Sequence, residues 1–172
     1  AKSMRAIAEE YGRVKEERYM RLHLDHVPVI DEDHKQVDYA GIIAEAIGLG
    51  YHSVMVDGSR LPLTENIQAT KRVVAMGRKA GIPVEAELGA VLGHEAGPIP
   101  PYEELIKSGK GFTAPEEARR FVQETGVDWL SVAIGNIHGA ISGAAMDAKK
   151  VKARLDIAHL QKIRQAIGAD IP

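Results

Sequence analysis

The sequence predicts an α/β fold built on a parallel sheet, and the placement of its polar residues points to part of a (β/α)8 barrel. Two observations carry this. Segments of helical periodicity alternate with short apolar runs of strand length along the 172 residues, the pattern of a parallel sheet joined by crossover helices. Residues able to do chemistry then stand at the C-terminal end of each strand: Asp25-His26, Asp57-Gly58-Ser59, Glu87-Leu88-Gly89 and Gly135 to Gly139. In a (β/α)8 barrel that end is the active-site mouth. No glycine-rich dinucleotide fingerprint follows a strand, which weakens a Rossmann reading; on pattern alone an open flavodoxin-like sheet also fits. Four strands are half a barrel, and a complete barrel takes about 250 residues. Residues 1–172 therefore read as a partial barrel domain, with N- and C-terminal strands expected outside it. The alternative is a half-barrel that pairs with a second copy.

Each element follows from local chemistry. Met4, Ile7, Ala8 and Tyr11 fit one face of a helix stopping at Gly12. Met20 to Leu24 reads as a short strand, and Val37, Ala40, Ile43 and Ile47 as a second helix closed by Gly48 and Gly50. Ser53 to Val56 is a buried strand. Ile67, Thr70, Val74 and Gly77 share the inner face of a third helix, ended by Gly81. Pro83 opens the strand Val84 to Leu88. Gly89 to Gly111 is polar and rich in Gly and Pro, long for a barrel connection, and is expected to act as a lid. Thr113 and Glu116 have the spacing of a capping box, with Pro115 in the first turn of a helix that reaches Gly126. Trp129 to Ile134 is the fourth strand. Ile157, Leu160, Ile163 and Ile167 mark the last helix, closed by Gly168, and Ile171-Pro172 read as the opening of another strand.

Composition narrows the chemistry. A formal net charge of -2 gives no reason to expect nucleic acid or an anionic membrane as partner. The absence of cysteine excludes disulfides, thiolate metal sites and cysteine nucleophiles, so any metal must be held by His, Asp or Glu. No apolar run is long enough to span a bilayer, and the N-terminus is a charged helical pattern rather than a signal peptide. A soluble, cytoplasmic protein is expected.

The histidines then matter. In His23-Leu24-Asp25-His26, alternation puts His23 and Asp25 on one face and sends His26 to the other. A strand ending at Asp25 would let both Asp25 and His26 reach the mouth; the plain alternative is a capping Asp beside a surface His. Gly135-Asn136-Ile137-His138-Gly139 offers glycines for close approach to a phosphate and a histidine able to bind metal, or simply a loop His between turn glycines. His26 and His138 together would supply two ligands of a three-His catalytic zinc site. His34, His52, His94 and His159 read as surface or loop residues. Glu85 and Glu87 share a strand face near Asp57, where carboxylates must be solvated, hydrogen-bonded or close to a cation. Glu95 stands between Gly93 and Gly97, where a moving loop could deliver a base.

Taken in order, L-H-L-D-H, S-V-M-V-D-G-S-R-L-P-L-T-E-N-I, V-E-A-E-L-G and V-A-I-G-N-I-H-G resemble the class II, zinc-dependent fructose- and tagatose-bisphosphate aldolases, over nearly the whole chain. The resemblance implies a (β/α)8 barrel that cleaves a ketose 1,6-bisphosphate to dihydroxyacetone phosphate and glyceraldehyde 3-phosphate. It implies Asp25 as the acid/base at the hydroxyl of the cleaved bond and Glu95 as the loop carboxylate that exchanges the carbon-bound proton. It implies His26 and His138 as zinc ligands, Gly139 and Asn136 at the substrate phosphate with a monovalent cation (Na+ or K+) nearby, and Glu87 and Asp57 lining the metal pocket. The third ligand and main phosphate loop would lie in a His-Gly-Gly-Ser-Gly segment beyond Pro172. Where the family has a Gly-Gly pair before its loop carboxylates, this chain has Val91-Leu92-Gly93-His94-Glu95. The complete enzyme would be a homo-oligomer, dimer or tetramer, with the partial barrel inactive alone. A noncatalytic aldolase-like subunit or scaffold, or another phosphate-sugar enzyme, are the alternatives.

Overall fold

The computed structural model describes residues 2–14, 19–89, 104, 107–136 and 154–172. Among these, four strands form one sheet: β1 (His23–Pro28), β2 (Ser53–Asp57), β3 (Val84–Leu88) and β4 (Trp129–Val132). They lie in the order β1-β2-β3-β4, and all three neighbouring pairs are parallel. The helices are α1 (Lys2–Val14), α2 (Tyr39–Gly48), α3 (Leu63–Ala80), α4 (Pro115–Thr125) and α5 (Ile157–Ile167). Sequential neighbours in a parallel sheet with helical crossovers are the half-barrel expected from the alternation.

The two faces of the sheet have different chemistry because side chains alternate. On the helix side, Val54, Val56, Val84, Ala86 and Leu88 join Ile43, Ala46, Val73, Val74, Ala118 and Phe121 in one apolar core. On the other face stand His23, Asp25, Glu85, Glu87 and Asp57. The helix α3 shows why the core forms where it does. Asn66, Ile67, Thr70, Val73, Val74 and Gly77 are buried at helical spacing. Glu65 in the first turn and Arg78 and Lys79 in the last complement the helix dipole. A methyl group on Gly77 would stand 2.4 Å from Val84 Cγ2, so glycine here lets α3 lie directly on β3.

Three expectations are corrected. The first strand is displaced to His23–Pro28 from the expected Met20 to Leu24, because pairing with β2 begins at His23↔Ser53. The fourth strand stops at Val132 rather than Ile134. Ile134 instead donates its N–H to Asn136 Oδ1 at 2.9 Å, and its carbonyl accepts from Asp156 N at 2.8 Å. The capping box does not form. Ala114 is the N-cap of α4 and makes no side-chain cap bond. The Thr113 hydroxyl is buried and bridges two strand ends, donating to the Leu88 carbonyl at 2.5 Å and accepting from Ala133 N at 2.8 Å. Beyond α5, the Pro172 carbonyl accepts from Leu130 N at 3.2 Å, which lays the chain end alongside β4 as a next strand would lie. No helix among the described residues is long and apolar enough to cross a membrane.

Candidate metal centre and acid/base site

The site begins with an irregularity in β1. His23 pairs with Ser53 and Leu24 with Val54, but Val27 is the partner of Val56. Asp25 and His26 together therefore oppose the single residue Met55: a β-bulge, which bends a strand and re-aims its side chains. The extra residue is accommodated at His26, whose φ of 46° lies in the left-handed region that non-glycine residues seldom enter. In a regular strand His26 would have faced the helices. The bulge instead turns it toward the same side as Asp25, while Val27 rejoins the core. The expectation that the strand must end at Asp25 for this to happen is thus replaced by a bulge inside a strand that continues to Pro28.

Three ligand-type side chains converge there. One donor atom from each of His26, Asp57 and Glu87 lies within 4.8 Å of the others. His26 Nδ1 is 3.6 Å from Asp57 Oδ2 and 3.5 Å from Glu87 Oε2. The two carboxylates come from facing positions of β2 and β3, which pair Asp57↔Glu87. Each is anchored. Asp57 Oδ1 accepts from Ser59 N at 2.9 Å, and the backbone of Glu87 is held by Asn66, whose Nδ2 donates to its carbonyl at 2.9 Å. Asn66 is itself buried and accepts from Thr70 Oγ1 at 3.2 Å. A methyl group on Gly58 would stand 2.2 Å from Asn66 Oδ1, so glycine after Asp57 makes room for this brace between two strand ends.

Glu87 is the most deeply buried of the three. It is 2% exposed, and its Oε2 has no hydrogen-bond partner among the described residues. Burial, reinforced by the neighbouring Asp57 carboxylate and partly offset by His26, raises its pKa from 4.5 to about 7. A buried carboxylate oxygen without a donor costs roughly 1–3 kcal/mol. A divalent cation among His26, Asp57 and Glu87 would satisfy that oxygen and reverse the cost. The donor set of one imidazole nitrogen and two carboxylates is one that zinc accepts, so the residues present fit the metal implied by the sequence.

A second polar cluster lies on the same face. His23 Nε2 is 3.8 Å from Asp25 Oδ1 and 3.6 Å from Glu85 Oε2, and His23 Nδ1 is 2.7 Å from Ser53 Oγ. The Glu85 pKa is raised, chiefly by burial, with His23 opposing. Asp25 keeps a side chain 67% exposed, open to a ligand at the mouth.

The chain belongs to the class-II fructose-bisphosphate aldolase family, whose model matches residues 1–172. It is 41% identical over 142 residues to a fructose-bisphosphate aldolase of Streptococcus pneumoniae serotype 4, covering 82% of this chain and 42% of that protein. A fructose-bisphosphate aldolase of Giardia intestinalis is 40% identical over 119 residues, 69% of this chain and 31% of its own. Among solved structures, the YdjI aldolase from Escherichia coli K12 superposes with a TM-score of 0.68 at 27% identity, over 98% of this chain and 50% of that one. The chain therefore spans less than half the length of these curated relatives and about half of this solved aldolase. The aldolase neighbours make the fold that of a (β/α)8 barrel, of which this chain supplies about half.

Of the site residues expected from sequence, the structure brings together His26, Asp57 and Glu87, and places Asp25 in the neighbouring cluster around His23. Asn136 caps the end of β4 through the bond from Ile134 N. Glu95, His138 and Gly139 lie outside the described residues, as does most of the expected lid. Sequence reasoning missed Asn66, Ser53 and the bridging role of Thr113. Asn66 and Thr70 carried a signal, being polar residues in the apolar phase of α3. His52 and His159 are not idle surface residues. His52 Nδ1 accepts from Leu22 N at 3.0 Å, and His159 Nε2 lies 2.8 Å from the Thr113 carbonyl.

Proposed function

We propose that the complete protein is a zinc-dependent class II aldolase acting on a ketose 1,6-bisphosphate, interconverting it with dihydroxyacetone phosphate and glyceraldehyde 3-phosphate. One observation carries the reading: the bulge at Asp25-His26 turns a carboxylate and an imidazole to one face of the sheet, beside a buried Glu87 oxygen that has no hydrogen-bond partner among the described residues. His26, with His138, would hold the metal, and Asp57 and Glu87 would line its pocket. When bound, zinc supplies Lewis-acid polarisation of the ketose carbonyl.

The chain's own residues do the rest. The exposed Asp25 carboxylate takes the proton from the hydroxyl beside the scissile carbon–carbon bond. That hydroxyl carbon becomes the aldehyde carbonyl as the bond breaks, and the electron pair stays with the half that bears the ketone carbonyl. Glu95 returns a proton to the carbon that kept the pair, next to the ketone carbonyl, completing the balance for cleavage; condensation runs the same transfers backward. Asn136 and Gly139 would bind a substrate phosphate, with a monovalent cation beside it. The negative charge of the bisphosphate is received by backbone N–H groups rather than by the acidic interior.

The test uses the full-length protein. Cleavage of fructose 1,6-bisphosphate and tagatose 1,6-bisphosphate is measured by coupled assay before and after chelation, with zinc content read by mass spectrometry. Activity lost on chelation and restored by zinc supports the reading. Turnover that survives complete removal of metal refutes it, and zinc binding without cleavage of either sugar leaves a scaffold instead.

A further inference from the structure

Two buried side-chain atoms lack a hydrogen-bond partner among the described residues: Glu87 Oε2 and His23 Nε2. The first belongs to the metal pocket. The second has no role in the chemistry above. We propose that His23 is a positioning residue that holds the Asp25 carboxylate in line with the substrate hydroxyl; this rests on Asp25 being the acid/base.

The geometry assigns the role in steps. His23 and Asp25 stand two residues apart on one face of β1, Asp25 being the first residue of the bulge. His23 is fixed from behind, since its β2 partner Ser53 places Oγ 2.7 Å from Nδ1. The carboxylates of Asp25 and Glu85, 3.8 and 3.6 Å from Nε2, would repel a bare ring nitrogen. They select the tautomer with hydrogen on Nε2, so Nδ1 accepts from the Ser53 hydroxyl. The ring is thereby set as a donor aimed between two carboxylates. Trp129 flanks it with ring centroids 6.2 Å apart. Asp25 is mostly exposed, and among the described residues His23 is the side chain within ion-pair reach of its carboxylate. Without His23 the Asp25 side chain would sample its rotamers freely beside a strained bulge. Catalytic contacts are commonly long in an unliganded site and shorten when substrate arrives, so 3.8 Å is a distance from which this bond can close. Glu85 then acts as the floor that keeps the imidazole donor facing upward.

The experiment is a set of variants in the zinc-loaded full-length protein. His23→Ala is expected to lower kcat by about 10–100-fold, the scale of a misplaced catalytic group, with KM little changed. Zinc stoichiometry and Tm should stay near those of the parent. His23→Gln, which can place an amide donor near the Nε2 position, should recover much of that loss, and Ser53→Ala should show a smaller loss in the same direction. The double variant His23→Ala/Asp25→Ala should be no slower than Asp25→Ala alone, because a positioning residue has nothing left to position. If His23→Ala turns over normally while Asp25→Ala does not, the proposal is overturned. If the two losses multiply in the double variant, or His23→Gln rescues nothing while zinc is lost, it is overturned as well. Normal turnover in Asp25→Ala would instead overturn the acid/base reading, and the positioning role with it.

Discussion

The two faces of one sheet are built to opposite rules. The helix side of β2 and β3 is Val54, Val56, Val84, Ala86 and Leu88, packed against α2, α3 and α4 in a core whose buried polar groups, such as Asn66 and Thr70, carry no charge. The opposite side carries Ser53, Asp57, Glu85 and Glu87 from the same two strands, with His23, Asp25 and His26 from the bulged edge strand. The first face gains free energy from burial. The second gives some of it up, holding a carboxylate at 2% exposure with one oxygen that has no hydrogen-bond partner among the described residues. The contrast teaches that stability and chemistry in this protein are separable by strand parity: the same residue step that buries a valine presents a carboxylate.

The largest test of that separation is at the metal. His26→Ala should abolish tight zinc binding and aldol cleavage together while leaving the fold intact; unchanged zinc content by mass spectrometry would remove His26 from the metal centre. Next in size is Asp25→Ala, expected to depress kcat by roughly 10²–10⁴-fold, as loss of a general acid/base does, with zinc content and Tm near the parent values. A variant that instead lost zinc or stability with turnover preserved would place Asp25 in a capping role.

Substitutions on the helix face should behave in the reverse sense. Phe121→Ala, at a fully buried position, should cost about 3–5 kcal/mol of stability by denaturant titration. Whatever fraction remains folded should keep near-normal kcat per bound zinc. A specific loss of kcat would show that the two faces are coupled after all.

Smallest, and opposite in sign, is the effect of Glu87 on the metal-free protein. Its pKa is raised from 4.5 to about 7 in the fold, so between those values the folded state binds more protons than the unfolded chain. By linkage, the contribution of Glu87 is fully present below about pH 4.5 and is lost as pH rises through about 7. Metal-free Glu87→Gln should lack that component of the pH dependence and be more stable than the parent at pH 8. Equal Tm values for the two metal-free proteins across pH 5 to 8 would contradict an uncompensated carboxylate. Such a gain in stability at the expense of the site is the usual trade at functional positions.

Much of this was legible from the sequence, for reasons that differ by feature. The strand–helix alternation and the glycines closing α3 and α4 were readable because periodicity and left-handed caps are local properties; Gly81 and Gly126 do take the left-handed conformation at those ends. The strand-end carboxylates Asp57 and Glu87 were readable because side-chain alternation is fixed once a strand is located, and β3 runs over Val84–Leu88 as its sequence predicts. What depended on neighbours was not. The position of β1 was set by its register against β2, and the bulge that turns His26 inward exists only because Asp25 and His26 share one opposing residue on another strand. Thr113 had the spacing of a helix cap, yet its hydroxyl found two better partners in strand ends far away in sequence. Local sequence determined which elements form and which residues stand at their ends. Tertiary pairing decided the register, and with it which of those residues meet, because hydrogen-bond partners and burial across a sheet are properties of the neighbour as much as of the chain itself.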